Sequence, residues 1–126
     1  MKIILAGPGR AGMSLALAFR DAGHELVGVL GRGSASEGAR RLETVELSWD
    51  ELLPAAELLV IGVRDDAIGE IADRLAPRAI AVGAAVHVSG SVPVDVLAPF
   101  GPRKLASGRR TVKLTSVSAR MANCPR

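Results

Sequence analysis

The sequence is poor in aromatic residues and in cysteine. Its 126 residues include two Phe, one Trp and no Tyr, so the core must consist of Ala, Val, Leu and Ile. So few rings argue against single-stranded nucleic-acid binding, which depends on bases stacking on aromatic side chains. The single cysteine, Cys124, excludes an intramolecular disulfide and a cysteine-cluster metal site, and two histidines are too few for a histidine-rich one. The sequence therefore predicts no metal centre.

Long apolar runs are also missing. No stretch approaches the ~20 residues that a membrane span requires. The apolar run over residues 3–6 is interrupted by Gly7-Pro8-Gly9-Arg10 before it reaches the ~7–15 residues of a signal-peptide core. These absences predict a cytoplasmic protein without a membrane partner.

Acidic residues are absent from the end of the chain. Residues 101–126 carry seven Lys and Arg and no Asp or Glu, whereas residues 1–100 carry nine Lys and Arg against thirteen acidic residues. The net charge of +3 therefore comes from the tail and is not the footprint of a nucleic-acid-binding domain. We expect one domain over residues 1–100 and an irregular basic tail over 101–126, either disordered or left by a truncated or frame-shifted gene. A tail that contacts nucleic acid or membrane is the weaker alternative.

Strand-like and helical patterns alternate over residues 1–100. Continuous apolar runs typical of buried strands occur at residues 2–6, 25–30, 44–47, 57–63 and 79–88. Helical patterns cover residues 10–22, 34–42, 48–54, 65–77 and 93–97. The fourth strand is the clearest, and the capping-box pattern of Ser48 and Glu51 starts the third helix. This alternation predicts an α/β fold, a doubly wound parallel sheet with right-handed crossovers.

A glycine-rich motif joins the first strand to the first helix. Gly7-Pro8-Gly9-Arg10-Ala11-Gly12 is a complete G-x-G-x-x-G in the context that such a motif requires. Gly7 permits a tight turn, Gly9 lets a pyrophosphate approach the backbone, and Gly12 lets the helix pack closely on the strands. The motif predicts a Rossmann-type dinucleotide site at the helix N-terminus. A glycine-rich turn that holds no ligand is the alternative.

The residues after the second strand indicate which dinucleotide binds. NAD-binding domains place a carboxylate there, on the ribose 2′-hydroxyl, but Gly31-Arg32-Gly33-Ser34 contains no acid. Arg32 suits the 2′-phosphate of NADP and stacking on adenine, and we count Ser34 among the cofactor-binding residues. The sequence thus favours NADP over NAD, with a solvated surface arginine as the alternative.

The loop after the fourth predicted strand is a second candidate, because ligands bind at the carboxyl ends of strands in open α/β sheets. Val63, Arg64 and Asp65 are expected beside the nicotinamide ribose. Arg64 is placed to reach cofactor or substrate, with an exposed structural role as its alternative. Asp65 also suits the cap of the next helix.

The next strand ends in His87-Val88-Ser89-Gly90. His87 and Ser89 point to the same side of a strand and are candidate catalytic residues. His87 is suited to act as acid or base near neutral pH, and Ser89 to bind a substrate carbonyl or carboxylate. Ser89 and Gly90 are also candidate cofactor-binding residues. A histidine satisfied within the protein is the alternative for His87.

Together these segments resemble a known family over residues 1 to 100. The matching pieces are the glycine motif with Ser14-Leu15-Ala16, Gly31-Arg32, residues 63–68 and residues 87–90. The chain resembles Rossmann-like proteins with a C-terminal domain of unknown function. Their relatives include pyrroline-5-carboxylate reductases, 3-hydroxyacid dehydrogenases and deazaflavin-dependent NADP reductases, and some members are associated with ketopantoate reduction.

The resemblance implies an oxidoreductase that moves hydride between NADP(H) and an unidentified small carbonyl or imine substrate. Relatives continue through a Ser-x-His-Pro segment into a helical second domain, and they build the substrate pocket between the domains, often across a homodimer. Here Ala106-Ser107 is followed by Gly108-Arg109-Arg110, and Arg64 stands where a proline is usual. The alternative function is therefore a dinucleotide-binding fragment without turnover.

Overall fold

The structure of the protein is a computed structural model that describes residues 1–33, 35–101, 104–107 and 115–116. The predicted cofactor residue Ser34, and most of the predicted basic tail, lie outside the described residues. Within the described ranges, no helix is long and apolar enough to cross a membrane.

The described residues form one sheet with helices on both faces. The strands are β1 Lys2–Ala6, β2 Glu25–Leu30, β3 Ala56–Ile61, β4 Val82–His87, β5 Lys104–Ser107 and β6 Thr115–Ser116. The α-helices are α1 Arg10–Asp21, α2 Ala35–Arg41 and α3 Ile68–Leu75, and short 3-10 helices cover Asp65–Ala67, Ala76–Arg78 and Val94–Phe100. The strand order is β2-β1-β3-β4-β5-β6, parallel throughout except for β6. The predicted α/β class and doubly wound parallel sheet are confirmed.

The strand order creates a switch point between β1 and β3. From β1 the chain adds β2 on one side, and it then returns to add β3 and β4 on the other. Ala6 is paired with Leu30 of β2 and with Ile61 of β3, so the three strands end together. The loops that follow them therefore meet at one edge of the sheet, where ligands bind in this architecture.

Strand residues face two apolar cores in alternation. Ile3 and Leu5 of β1 belong to the core under α1 and α2, whereas Ile4 belongs to the core under α3. All three are fully buried, and burying each such side chain contributes about 1.5–3 kcal/mol. Phe100, at the end of the 3-10 helix Val94–Phe100, is buried in the core under α3.

The predicted strand at residues 44–47 does not form. The backbone pairs with β2 only around Val29, whose N–H donates to the carbonyl of Val45 at 2.9 Å and whose carbonyl accepts from the N–H of Leu47 at 2.8 Å. The resulting bridge stands alone, because the chain turns away immediately afterwards.

The prediction of a helix that begins at Ser48 is also wrong. The hydroxyl of Ser48 accepts a hydrogen bond from the backbone N–H of Asp50, two residues on, at 3.1 Å. In a capping box the hydroxyl would instead accept from the N–H three residues on. This local bond stabilises a turn that competes with the helix, and Trp49 lies at its centre.

The sheet continues beyond residue 100. β5 pairs in parallel with β4 from Ala84–Lys104 to His87–Ser107, within the segment that the sequence assigns to the tail. The 3-10 helix Val94–Phe100 forms the connection between these strands and packs on α3. The division into a domain over 1–100 and a tail over 101–126 stays a prediction.

Candidate functional site

The turn between β1 and α1 depends on glycine at its first position. Gly7 has a φ of +96°, in the region that favours glycine. Its N–H donates to the carbonyl of Leu30 at 2.7 Å, which ties the turn to the end of β2. A Cβ placed on Gly7 would lie 2.6 Å from Cγ1 of Val63. No side chain fits at this position.

The N-terminus of α1 carries no side-chain cap. Gly9 is the N-cap residue, and its carbonyl accepts the first helical hydrogen bond from the N–H of Met13 at 2.8 Å. Gly9 has no side chain that could bond to the first turn, and the N–H groups of a helix without such a cap are suited to binding an anion. Arg10 and Ala11 begin the helix. Arg10 lines a groove of about 330 Å³ together with Pro8, Gly9 and Ser14.

α1 and the end of β3 are in contact through two glycines. A Cβ on Gly12 would lie 2.5 Å from the carbonyl oxygen of Gly7, and a Cβ on Gly62 would lie 2.8 Å from Cα of Gly12. Backbone thus packs directly on backbone, which is the role that the sequence predicts for Gly12. Sequence reasoning missed Gly62, because it reads as part of an apolar strand.

Gly9 differs from these glycines because the protein leaves space beside it. The nearest heavy atom to a Cβ on Gly9 would be the carbonyl oxygen of Gly62 at 3.6 Å, an ordinary contact. Packing within the described residues therefore does not require glycine here. The bare backbone of Gly9 faces a cleft instead.

This cleft of about 700 Å³ opens at the switch point, and its size is typical of small-molecule sites. It is bordered by the turn after β1, the loops after β2 and β3, Trp49 and the start of α3. The lining residues are Gly7, Pro8, Gly9, Gly31, Arg32, Trp49, Gly62, Val63, Arg64, Asp66, Ala67, Glu70 and Ile71. The structure thus brings Arg32, Val63 and Arg64 together with the glycine motif.

Trp49 is a wall of the cleft that sequence reasoning did not assign. Its Nε1–H donates to the carbonyl of Gly31 at 3.3 Å. The guanidinium of Arg74 lies 4.9 Å from the centroid of its ring, within cation–π distance. A lone tryptophan among polar residues is the signal from which this position could have been predicted.

Arg64 forms an exposed ion pair at the mouth of the cleft. Its Nε lies 3.3 Å from Oδ1 of Asp66, with the side chains 83% and 75% exposed. Such pairs contribute about 0–1 kcal/mol. An anionic ligand group therefore competes for Arg64 at little cost.

Asp65 does not cap a helix, so that interpretation is wrong. Arg64 is the N-cap of the 3-10 helix Asp65–Ala67 and makes no side-chain cap bond. Oδ2 of Asp65 instead accepts a hydrogen bond from the hydroxyl of Ser91 at 2.9 Å. The carboxylate is thus held by the loop after β4, and it links two neighbouring strand ends.

His87 is fully buried, and both ring nitrogens have partners. Nδ1 accepts from the N–H of Ser89 at 3.1 Å, and Nε2 lies 3.3 Å from the carbonyl of Pro93. These partners require the neutral tautomer that carries its proton on Nε2. Burial lowers the pKa of His87, against an opposing effect of the Pro93 carbonyl and the charge of Asp65. The geometry favours the alternative of a histidine satisfied at a strand end, and its catalytic role stays a prediction.

Ser89 is also buried, and its hydroxyl shapes the loop. Its Oγ accepts hydrogen bonds from the N–H groups of Ser91 and Val92 at 3.0 and 3.1 Å. Gly90 is exposed at the tip of the same loop, with no atom within 4 Å of a Cβ placed on it. The hydroxyl of Ser89 therefore holds the backbone next to Gly90 in place.

A doubly wound sheet with a glycine-rich turn, an uncapped helix N-terminus and a cleft at its switch point is the architecture of dinucleotide-binding domains. The chain belongs to the family of Rossmann-like domains, whose model matches residues 1–106. The expected family relationship of the N-terminal region is confirmed.

Solved structures share this fold. A Bacteroides fragilis protein designated an NADP oxidoreductase is 25% identical, with a TM-score of 0.71 over 90% of this chain and 49% of its own. UDP-N-acetylglucosamine 3-dehydrogenase from Acidithiobacillus ferrooxidans is 20% identical, with a TM-score of 0.67 over 86% and 38%. 2-Dehydropantoate 2-reductase from Methylococcus capsulatus is 19% identical, with a TM-score of 0.62 over 85% and 40%. A comparison with curated protein sequences finds no match.

Proposed function

We propose that this domain binds NADP(H) for an oxidoreductase that acts on a small carbonyl or imine substrate. The proposal rests on the space beside Gly9. A Cβ at this residue would meet no atom closer than 3.6 Å, and the residue borders the cleft at the uncapped N-terminus of α1. The similarity to a protein designated an NADP oxidoreductase supports the same class of activity.

The glycine motif supplies the features that a pyrophosphate needs. Gly7 and Gly12 fix the turn against β3, so the N–H groups of the first turn of α1 are held in place before a ligand arrives. A ligand phosphate gains from these N–H groups and from the positive end of the helix dipole. At Gly9 no side chain occupies the path to the backbone.

The choice of NADP rests on Arg32. It is exposed and lines the cleft directly after Gly31, at the end of β2. The cleft does contain acidic side chains, Asp66 and Glu70. Both belong to the segment after β3 and not to the position that reads the ribose 2′-hydroxyl in NAD-binding domains. A guanidinium there binds a phosphate through charge-assisted hydrogen bonds.

The remaining residues of the site position the ligand. The loops after β3 and β4 are held together by the Asp65–Ser91 hydrogen bond, and Arg64 offers a cation at the mouth of the cleft. When bound, the nicotinamide supplies the hydride chemistry. We assign to His87 and Ser89 the task of ordering the loop beside it.

A dinucleotide-binding domain without turnover is the second candidate. The chain spans 49% of the length of the Bacteroides fragilis protein and less of the other two structures. Binding of NADPH without substrate-dependent oxidation favours this candidate, and turnover favours the first.

The proposal is tested by calorimetric titration of the purified chain with NADPH and NADH. We expect the parent to bind NADPH more tightly, and Gly9→Val to abolish binding of both while its circular dichroism and melting temperature match those of the parent. Gly83→Val is the control, because Gly83 is exposed on β4 and lies outside the cleft. A parent that binds neither dinucleotide overturns the proposal, as does a Gly9→Val variant that binds like the parent.

A further inference from the structure

Pro8 is wedged between two glycines of the segment that carries Arg32. A Cβ on Gly31 would lie 2.7 Å from Cδ of Pro8, and a Cβ on Gly38 would lie 2.7 Å from Cβ of Pro8. Gly31 directly precedes Arg32, and Gly38 lies within α2. The ring of Pro8 therefore packs against Gly31 and Gly38. The backbone comes this close to the ring only because neither of these residues has a side chain.

Two further contacts hold the same segment. The N–H of Gly7 bonds the carbonyl of Leu30 at 2.7 Å, and the indole N–H of Trp49 bonds the carbonyl of Gly31 at 3.3 Å. Gly31 thus packs against Pro8 and accepts a hydrogen bond from Trp49. The position of Arg32 relative to the phosphate-binding turn is consequently set by backbone packing.

The side chain of Arg32 has no comparable support. It is exposed, and within residues 1–33 and 35–101 the ion pairs of the protein, Arg64–Asp66 and Arg74–Asp50, do not include it. A long cation of this kind binds a phosphate in a defined place only if its backbone is fixed. Packing of Pro8 against Gly31 and Gly38 fixes the backbone next to Arg32.

We infer that Pro8 is a positioning residue that sets the cofactor specificity of the cleft. Its ring fixes the separation between the N-terminus of α1, where the pyrophosphate binds, and Arg32, where the 2′-phosphate binds. This inference rests on the proposed function and extends it to Gly38, which lies outside the cleft.

The test is a double-mutant cycle with Pro8→Gly and Gly38→Ala. Pro8→Gly removes the whole ring, including the Cβ that a methyl group at position 38 would meet at 2.7 Å, and Gly38→Ala pushes the ring away. Each shifts Arg32, so we expect the affinity for NADPH to fall by at least about fivefold relative to the affinity for NADH, since only NADPH needs the Arg32 contact. In the double variant the methyl group added at position 38 occupies the space that the ring leaves. We therefore expect its NADPH-to-NADH affinity ratio to recover toward that of the parent.

Gly69→Ala is the matched control. It makes the same change within α3, where the nearest atom to a new Cβ is Cγ2 of Val96 at 3.3 Å, and Gly69 lies outside the cleft. Its affinity ratio should equal that of the parent. Thermal unfolding of every variant separates a general loss of stability, which does not alter the ratio, from a shift of Arg32.

The outcomes separate the two proposals. A parent that binds no dinucleotide refutes the proposed function. The inference about Pro8 alone is refuted if the parent prefers NADPH but each single variant loses affinity for both cofactors equally. It is also refuted if the losses of the two single variants add in the double variant. Should Gly38→Ala fail to fold, Pro8→Gly by itself decides, because an unchanged affinity ratio in that variant also overturns the inference.

Discussion

At the scale of single residues, Arg32 is the side chain on which the proposed preference for NADPH depends. We expect Arg32→Asp to lower the affinity for NADPH by at least about tenfold, because it removes a charge-assisted partner and adds a repelling charge. The affinity for NADH should hold or rise. Calorimetry with both cofactors measures the difference.

Arg40→Asp provides the control for net charge, since Arg40 is exposed on α2 and lies outside the cleft. It should leave the preference for NADPH unchanged. An equal loss of both cofactors in Arg32→Asp would mean that Arg32 supports the turn and does not read the phosphate.

The sequence predicts the close packing of some glycines but not of others. The motif spacing predicts the close packing of Gly12, because the spacing is a local property of the sequence. Gly62 and Gly38 gave no such signal. Their partners, Gly12 and Pro8, are distant in the chain, and only the fold brings them together.

At the scale of elements, the loop after β4 is sensitive to pH through His87. The neutral ring accepts a hydrogen bond from Ser89, and burial of the ring holds its pKa below the ordinary value of 6.5. The unfolded chain then binds the proton first as the pH falls. The contribution of His87 to stability is complete above pH 6.5 and is lost as the pH falls toward the lowered pKa.

We therefore expect the free energy of unfolding of the parent to fall more steeply between about pH 7 and pH 5 than that of His87→Gln, by at most about 1.4 kcal/mol per pH unit. Urea unfolding at several pH values measures both slopes. Parallel slopes would show that the neutral ring is not required by the fold.

Most elements follow from the sequence because their signals are local. β1, β2, α1 and α3 lie close to the predicted bounds, since each has a continuous apolar run or a helical stripe. The failures at residues 44–54 have one cause. There, single hydrogen bonds to Val29 and within the Ser48 turn outcompete weak strand and helix patterns, and sequence spacing does not reveal such bonds.

At the scale of the whole molecule, the cleft and the far side of the sheet are separable. Every residue that lines the cleft lies between Gly7 and Ile71, whereas β5 pairs with β4 at residues 104–107. We expect a chain that ends at Ser107 to bind NADPH within about threefold of the parent, a difference of less than about 1 kcal/mol.

A chain that ends at Gly101 lacks β5 and leaves the edge of β4 unpaired. It should bind NADPH similarly but unfold at a lower urea concentration than the chain that ends at Ser107. Loss of binding in a shorter chain that remains folded would show that the cofactor site extends beyond the predicted boundary at residue 100.

The position of Trp49 has an optical consequence. It is the sole tryptophan of the chain, and its indole lines the cleft. Indole emission overlaps the absorption band of reduced nicotinamide, which the oxidised ring lacks. Under the proposed function, excitation energy would pass from Trp49 to a bound reduced dinucleotide but not to an oxidised one, so quenching of Trp49 emission would report the redox state of the ligand.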